Sequence, residues 1–74
     1  MAMTILNQDQ LNRCYLCFDF TDEETIQSAY IDYQGQLTIV YLDEHQVVGK
    51  YLPFTEPEQM QFIMEGITLT RDEN

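Results

Sequence analysis

The sequence predicts an α+β domain: an N-terminal helix, a three-stranded antiparallel β-meander and a C-terminal helix. Leu11, Cys14, Tyr15 and Phe18 recur at helical spacing. The runs "TIQSAYIDY", "QLTIVYL" and "VVGKYL" are β-branched and aromatic, and are punctuated by "QG" and "DEHQ". "TEPE" then opens a second apolar stripe made of Met60, Ile63, Met64 and Ile67.

The first helix is expected over residues 8 to 18, with Asn7 as its N-cap because a short side-chain oxygen there can accept an otherwise orphaned backbone N–H. Residues 14 to 20 also carry a strand signal, since Leu16, Phe18 and Phe20 alternate and the run is aromatic. The alternative fold is therefore a four-stranded antiparallel sheet with residues 14 to 20 as a strand.

The meander strands are expected at residues 25 to 33, 37 to 42 and 47 to 52. A three-residue loop at Tyr33, Gln34 and Gly35, with Gly35 at positive φ, pairs Ile31 with Leu37 and Ala29 with Ile39. That register gathers small and aliphatic side chains on one face. A two-residue loop would set Asp32 against Leu37 and mix polar with apolar residues.

The C-terminal helix is expected to begin with Thr55 and Glu58 as a capping-box pair, to carry Pro57 in its first turn, and to end at Gly66. Glu56 and Glu58 suit the positive end of its dipole. The tail "ITLTRDEN" reads as a short extended segment.

All of this fits one domain spanning residues 1 to 74, because a chain of 74 residues buries only about 60% of its unfolded surface and leaves nothing for a second core. Hydrophobic content of 45% is that of a packed protein rather than a disordered acidic tail. No basic segment leads into an apolar run, and no stretch approaches the ~20 apolar residues that span a bilayer. Two cysteines without an export signal suit reduced thiols, so the expected location is cytoplasmic.

Charge is the most unusual property. Thirteen Asp and Glu oppose Arg13, Lys50 and Arg71 for a net charge of -10, beyond the roughly 2–8 units that suffice for solubility. Direct nucleic-acid or anionic-membrane binding needs clustered Lys and Arg, which the chain lacks. A protein partner with a basic surface is the electrostatic complement.

The segment "CYLCFDFTDEE" sets a CxxC beside aromatics and acids. A zinc site needs four ligands, and Cys14, Cys17 and the lone His45 supply at most three. A redox dithiol needs its first Cys at a helix N-terminus, whereas Cys14 falls inside an apolar stripe. Core cysteines are the expected reading, with no metal and no cofactor, and His45 is a turn residue. One His and two core thiols provide no nucleophile and base pair, so an enzyme is not expected. "DFTDEE" lacks the EF-hand ligand pattern and its Gly.

The acids gain meaning on the meander, where the start of the first strand and the second turn share one end. Asp22, Glu23 and Glu24 then approach Asp43 and Glu44, joined by Asp19 and, if the last helix runs back, by Glu65, Asp72 and Glu73. Two carboxylates ~7 Å apart in water repel by about 0.6 kcal/mol, a cost with no folding return. Strand-end carboxylates, spaced roughly 6.6 Å on one face, can approximate the phosphates of a nucleic-acid strand. Tyr30, on the face opposite Ile31 and beside Thr38, adds an aromatic contact candidate. The expected partner-binding residues are thus Asp19, Asp22, Glu23, Glu24, Tyr30, Asp43 and Glu44.

The element order resembles that of double-stranded RNA-binding domains, whose basic contact residues are missing here. Together with size and charge, it also resembles the plan of some small acidic anti-CRISPR proteins from phages. That resemblance implies an inhibitor, and no binding residue transfers with it. The expected function is a non-catalytic acidic inhibitor or decoy, a monomer or homodimer that blocks the basic nucleic-acid-binding surface of a processing enzyme, as a phage anti-defence protein or a nuclease immunity protein would. The alternative is an adaptor or regulatory subunit that binds through apolar and aromatic surface, with acidity serving solubility.

Overall fold

The computed structural model describes residues 3–66. Along the chain it contains β1 (Thr4–Ile5), α1 (Gln8–Cys17), β2 (Thr25–Ile31), β3 (Leu37–Leu42), β4 (Val48–Tyr51) and α2 (Pro57–Glu65). The strands form one four-stranded sheet in the order β1-β2-β3-β4, with every neighbouring pair antiparallel.

The α+β class therefore holds, and the sheet has the four strands of the alternative reading. The fourth strand is Thr4–Ile5 rather than residues 14 to 20. Residues 14 to 17 are helical because a strong cap and an apolar stripe act together. Asn7 Oδ1 accepts the Gln10 N–H at 2.9 Å while Gln10 Oε1 accepts the Asn7 N–H at 2.7 Å, a reciprocal capping box. Leu11, Cys14 and Phe18 are buried, whereas Leu16, which the strand pattern would turn inward, is exposed.

The β2–β3 register is the expected one, with Ala29 opposite Ile39 and Ile31 opposite Leu37, and Gly35 takes φ 84°. A bulge between Ile26 and Ser28 shifts the pairing near the start of β2. Ile26, next to this bulge, donates its N–H to Tyr15 Oη at 2.6 Å, which ties α1 to the sheet.

Both helices pack on one sheet face. Leu11, Cys14 and Phe18 of the α1 segment and Ile63 of α2 meet Ile26, Ala29, Leu37 and Ile39 in a single core. The other face carries Tyr30, Thr38, Val40, Leu42 and Lys50; no helix among the described residues packs on it, and Thr38 there is buried.

The helices are also linked through polar groups. Gln10 Nε2 donates to the Met64 carbonyl at 3.0 Å, and Arg13 Nε donates to the Ile63 carbonyl at 2.9 Å. Arg13 thereby puts a positive charge at the negative end of α2, which has no basic residue in its own last turn.

The start of α2 lies one residue later than its sequence suggests. Glu56 is the N-cap, and its N–H donates to Gln59 Oε1 at 3.1 Å. The Thr55 hydroxyl is instead committed to the Pro53 carbonyl at 3.2 Å. Gly66 ends the helix in the left-handed conformation, φ 73°, as expected. The expected extended tail lies outside the described residues.

Cys14 is fully buried and unpaired, and Cys17 is half-buried and unpaired. Burial pushes the Cys14 thiol up to about 11, helped by the neighbouring Cys17, and raises Cys17 as well. A thiol whose folded pKa exceeds its unfolded value near 9 holds its full stabilising contribution below pH 9 and loses it as pH rises towards 11. Native protein should therefore leave Cys14 unmodified by a thiol reagent at pH 7 while urea-unfolded protein reacts, and its urea midpoint should fall between pH 9 and pH 11. Rapid native labelling of Cys14 would contradict this assignment.

Candidate functional site

The 19–24 loop and the β3–β4 turn sit at the same end of the sheet, because Thr25 at the start of β2 pairs with Leu42 at the end of β3. This brings Asp19, Asp22, Glu23, Glu24, Asp43 and Glu44 to one end, but their roles differ.

Thr21 to Glu24 form a turn closed by the Glu24 N–H on the Thr21 carbonyl at 3.0 Å. Glu24 Oε1 accepts the Thr21 N–H at 2.9 Å, so one of its oxygens is committed to the loop. Asp22 and Glu23 occupy the tip and are exposed, as are Asp19 and Glu44.

Asp43 is a turn residue first. Its Oδ1 accepts the His45 N–H at 2.8 Å and the Val47 N–H at 3.0 Å. The Asp43 N–H donates to the Val47 carbonyl at 3.2 Å, and Gln46 closes the loop in the left-handed region at φ 64°. The same device builds the other hairpin, where Asp32 Oδ1 accepts from Gln34 and Gln36 at 2.9 Å and Gly35 takes the left-handed position. Both turns are "Asp-x-x-(αL)-x", a repeat visible in "DYQGQ" and "DEHQV".

The Val47 hydrogen bond holds the Asp43 carboxyl below its ordinary value of 3.8. A depressed acid stabilises the fold above that value and loses its contribution as pH falls through the lowered one. Asp43→Ala should accordingly lower the urea midpoint at neutral pH, Asp43→Asn should retain most of it by keeping the acceptor, and Glu44→Lys should leave it unchanged. A normal midpoint for Asp43→Ala would show that the turn does not need its carboxylate. His45 lies 3.3 Å from Glu44, an exposed pair that solvent screens.

Beside the loop, Asp19, Phe20, Glu24, Tyr41 and Tyr51 line an open cavity of about 150 Å³. Phe20 stands edge-on to Tyr41 and to Tyr51 with ring centroids 5.9 Å apart in each case. Tyr51 also meets Phe18 edge-on at 5.8 Å. Tyr41 lies across Gly49, its cross-strand partner: a Cβ at Gly49 would stand 2.7 Å from Tyr41 Cζ. Gly49 thus gives the ring room to lie over β4. Neither the cavity nor its aromatic lining was legible in the sequence, because Phe20 is separated from Tyr41 and Tyr51 along the chain and only tertiary packing joins them. The residue pattern "YLDEHQVVGKY", with Tyr and Gly across a predicted hairpin, was the available signal.

Tyr30 does not join this group. It is half-buried and pairs with Ile5 and Thr38 on the face opposite the helices, towards the opposite end of the sheet. Glu65 does not join it either: its neighbour Met64 is bonded to Gln10 in the first turn of α1, a helix about 15 Å long whose other end leads into the 19–24 loop. Asp72 and Glu73 lie outside the described residues.

Among the described residues, no three His, Cys, Asp or Glu side chains converge in a way that would hold a metal ion. No helix among them is long and apolar enough to cross a membrane. No protein-family model, curated protein or solved structure matches the chain.

Proposed function

We propose that the protein is a non-catalytic acidic inhibitor that binds the basic nucleic-acid-binding surface of a partner protein and excludes its substrate. The observation supporting this reading is that Asp19, Asp22, Glu23 and Glu44 are exposed at one end of the sheet, on segments joined by the Thr25–Leu42 pairing. Among the described residues none of the four pairs with a Lys or Arg, so holding them together gains nothing for folding. Opposite a groove lined by Lys and Arg they gain attraction and accelerate encounter.

The test is capture of partners on the immobilised chain in cytosolic extract at low and high salt, followed by competition between this protein and nucleic acid for whatever is retained. A basic nucleic-acid-binding protein should be captured at low salt, released at high salt and displaced from its nucleic acid. Retention of only neutral or acidic proteins, or of complexes indifferent to salt, would sink the reading.

A second reading has its own observation. The segment from Gln46 to Thr55 contains no carboxylate, and Val47, Val48, Leu52 and Phe54 are exposed along it, Phe54 at 84%. Among the described strands β4 is also the edge of the sheet. An adaptor that binds through this apolar edge would form complexes that survive high salt, so the same capture experiment separates the two readings.

A further inference from the structure

The cavity beside the 19–24 loop combines features that a solvated acidic surface does not require. Three aromatic residues, Phe20, Tyr41 and Tyr51, and two acids, Asp19 and Glu24, line it together. Tyr51 remains 40% exposed although Phe18 and Phe20 both pack against it. A space of about 150 Å³ is of the order that accepts one benzene-sized group. Aromatic π-faces attract cations, and carboxylates accept hydrogen bonds from them.

We propose that this cavity is a socket for the guanidinium group of an arginine presented by a protein partner. The inference rests on the reading that the partner is basic, and it names the side chain that anchors it. Arginine is favoured over a quaternary ammonium because the two carboxylates call for N–H donors, which a quaternary ammonium lacks. It is favoured over lysine because a planar guanidinium can stack on one aromatic ring of the lining while donating in its own plane to a carboxylate, which an ammonium cannot. Among the described residues Asp19 makes no hydrogen bond, and the Glu24 carboxylate accepts only one, from the Thr21 N–H through Oε1. Gly49 is part of the socket, since any side chain there would displace the Tyr41 ring.

The test is titration of the protein with Nα-acetyl-arginine amide, followed through the ring resonances of Tyr41, Tyr51 and Phe20. The matched probes are Nα-acetyl-citrulline amide, which keeps the shape without the charge, and Nα-acetyl-trimethyllysine amide, which keeps the charge without the donors. Arginine should shift these rings saturably and bind about tenfold more tightly than either comparison probe. Asp19→Asn combined with Glu24→Gln, which preserves the Thr21 acceptor, should weaken the arginine response by about tenfold while leaving the backbone amide spectrum folded. Equal responses to citrulline, tighter binding of trimethyllysine, or arginine shifts confined to Asp22 and Glu23 would each overturn the socket.

The two proposals fail separately. If arginine does not bind while reversal of Asp22, Glu23 and Glu44 abolishes partner capture, the socket is wrong and the acidic surface stands. If arginine binds as expected while that reversal leaves capture intact, the socket stands and the acidic surface is wrong.

Discussion

A chain carrying Asp22→Lys, Glu23→Lys and Glu44→Lys should keep its thermal unfolding midpoint and lose partner affinity by about a hundredfold or more, because like-charge juxtaposition at an interface costs several kcal/mol. Each reversal adds two positive units, which moves the net charge from -10 to -4. All three side chains are exposed, and none accepts a backbone hydrogen bond that holds its turn closed. Such positions change stability by less than about 0.5 kcal/mol each. Asp43 and Glu24 are left out of this variant because their carboxylates close the turns, so reversing them would confound loss of binding with loss of structure.

Reversing Glu56 and Glu58 is the control. These residues open α2 at the other end of the sheet, where Gln36 Nε2 beside the β2–β3 turn reaches the Pro53 carbonyl at 3.2 Å. That variant should weaken the helix start by about 0.3–1 kcal/mol and still bind. Calorimetry on folded protein checks both arms. Normal binding by the triple variant, with loss in the control, would transfer the interface to the opposite end.

The largest effect on folding is expected at Ile63. Its side chain is 0% exposed and lies in the core with Leu11, Cys14, Ala29 and Ile39. Ile63→Ala should cost about 2–5 kcal/mol, combining lost transfer free energy with a residual cavity. At about 0.05–0.15 kcal/mol per residue, the whole domain has only ~4–11 kcal/mol in hand. A drop of about 4–8 °C in melting temperature per kcal/mol then makes the variant largely unfolded near physiological temperature. Ile63→Val is the companion variant, expected to lose about 0.5–1.5 kcal/mol and remain folded. A shift under 1 kcal/mol for Ile63→Ala in a urea melt would mean that α2 is docked by its polar links to Gln10 and Arg13 rather than by burial.

Much of this architecture is local chemistry that the sequence alone determines. Asn7 and Gln10 form a capping box because their side chains and backbone donors are three residues apart on any helix that starts there. Gly35 selects a left-handed turn position, and that turn length sets Ile31 against Leu37. Gly66 stops α2 for the same steric reason. The convergence of the 19–24 loop with the β3–β4 turn follows from the meander, whose alternating strand directions return every second turn to the same end.

Only the tertiary structure decided the remainder. Residues 14 to 17 satisfy both periodicities in sequence, and burial of Cys14 and Phe18 against Ile39 and Ile63 selected the helix. Thr4–Ile5 became a strand because β2 offered an unpaired edge, which no two-residue segment announces by itself. The acids look alike as a string of carboxylates, yet hydrogen bonding divides them. Asp43 and Glu24 close their turns through neighbouring backbone donors, which is local chemistry, while the fold leaves Asp19, Asp22, Glu23 and Glu44 exposed. The aromatic cavity came from cross-strand register, which set Tyr41 over Gly49 and near Tyr51, and from the segment after α1, which laid Phe20 against both rings. Local propensity acts over the few residues of a turn or cap, whereas a cavity needs side chains distant in sequence to share one surface, and only packing brings them together.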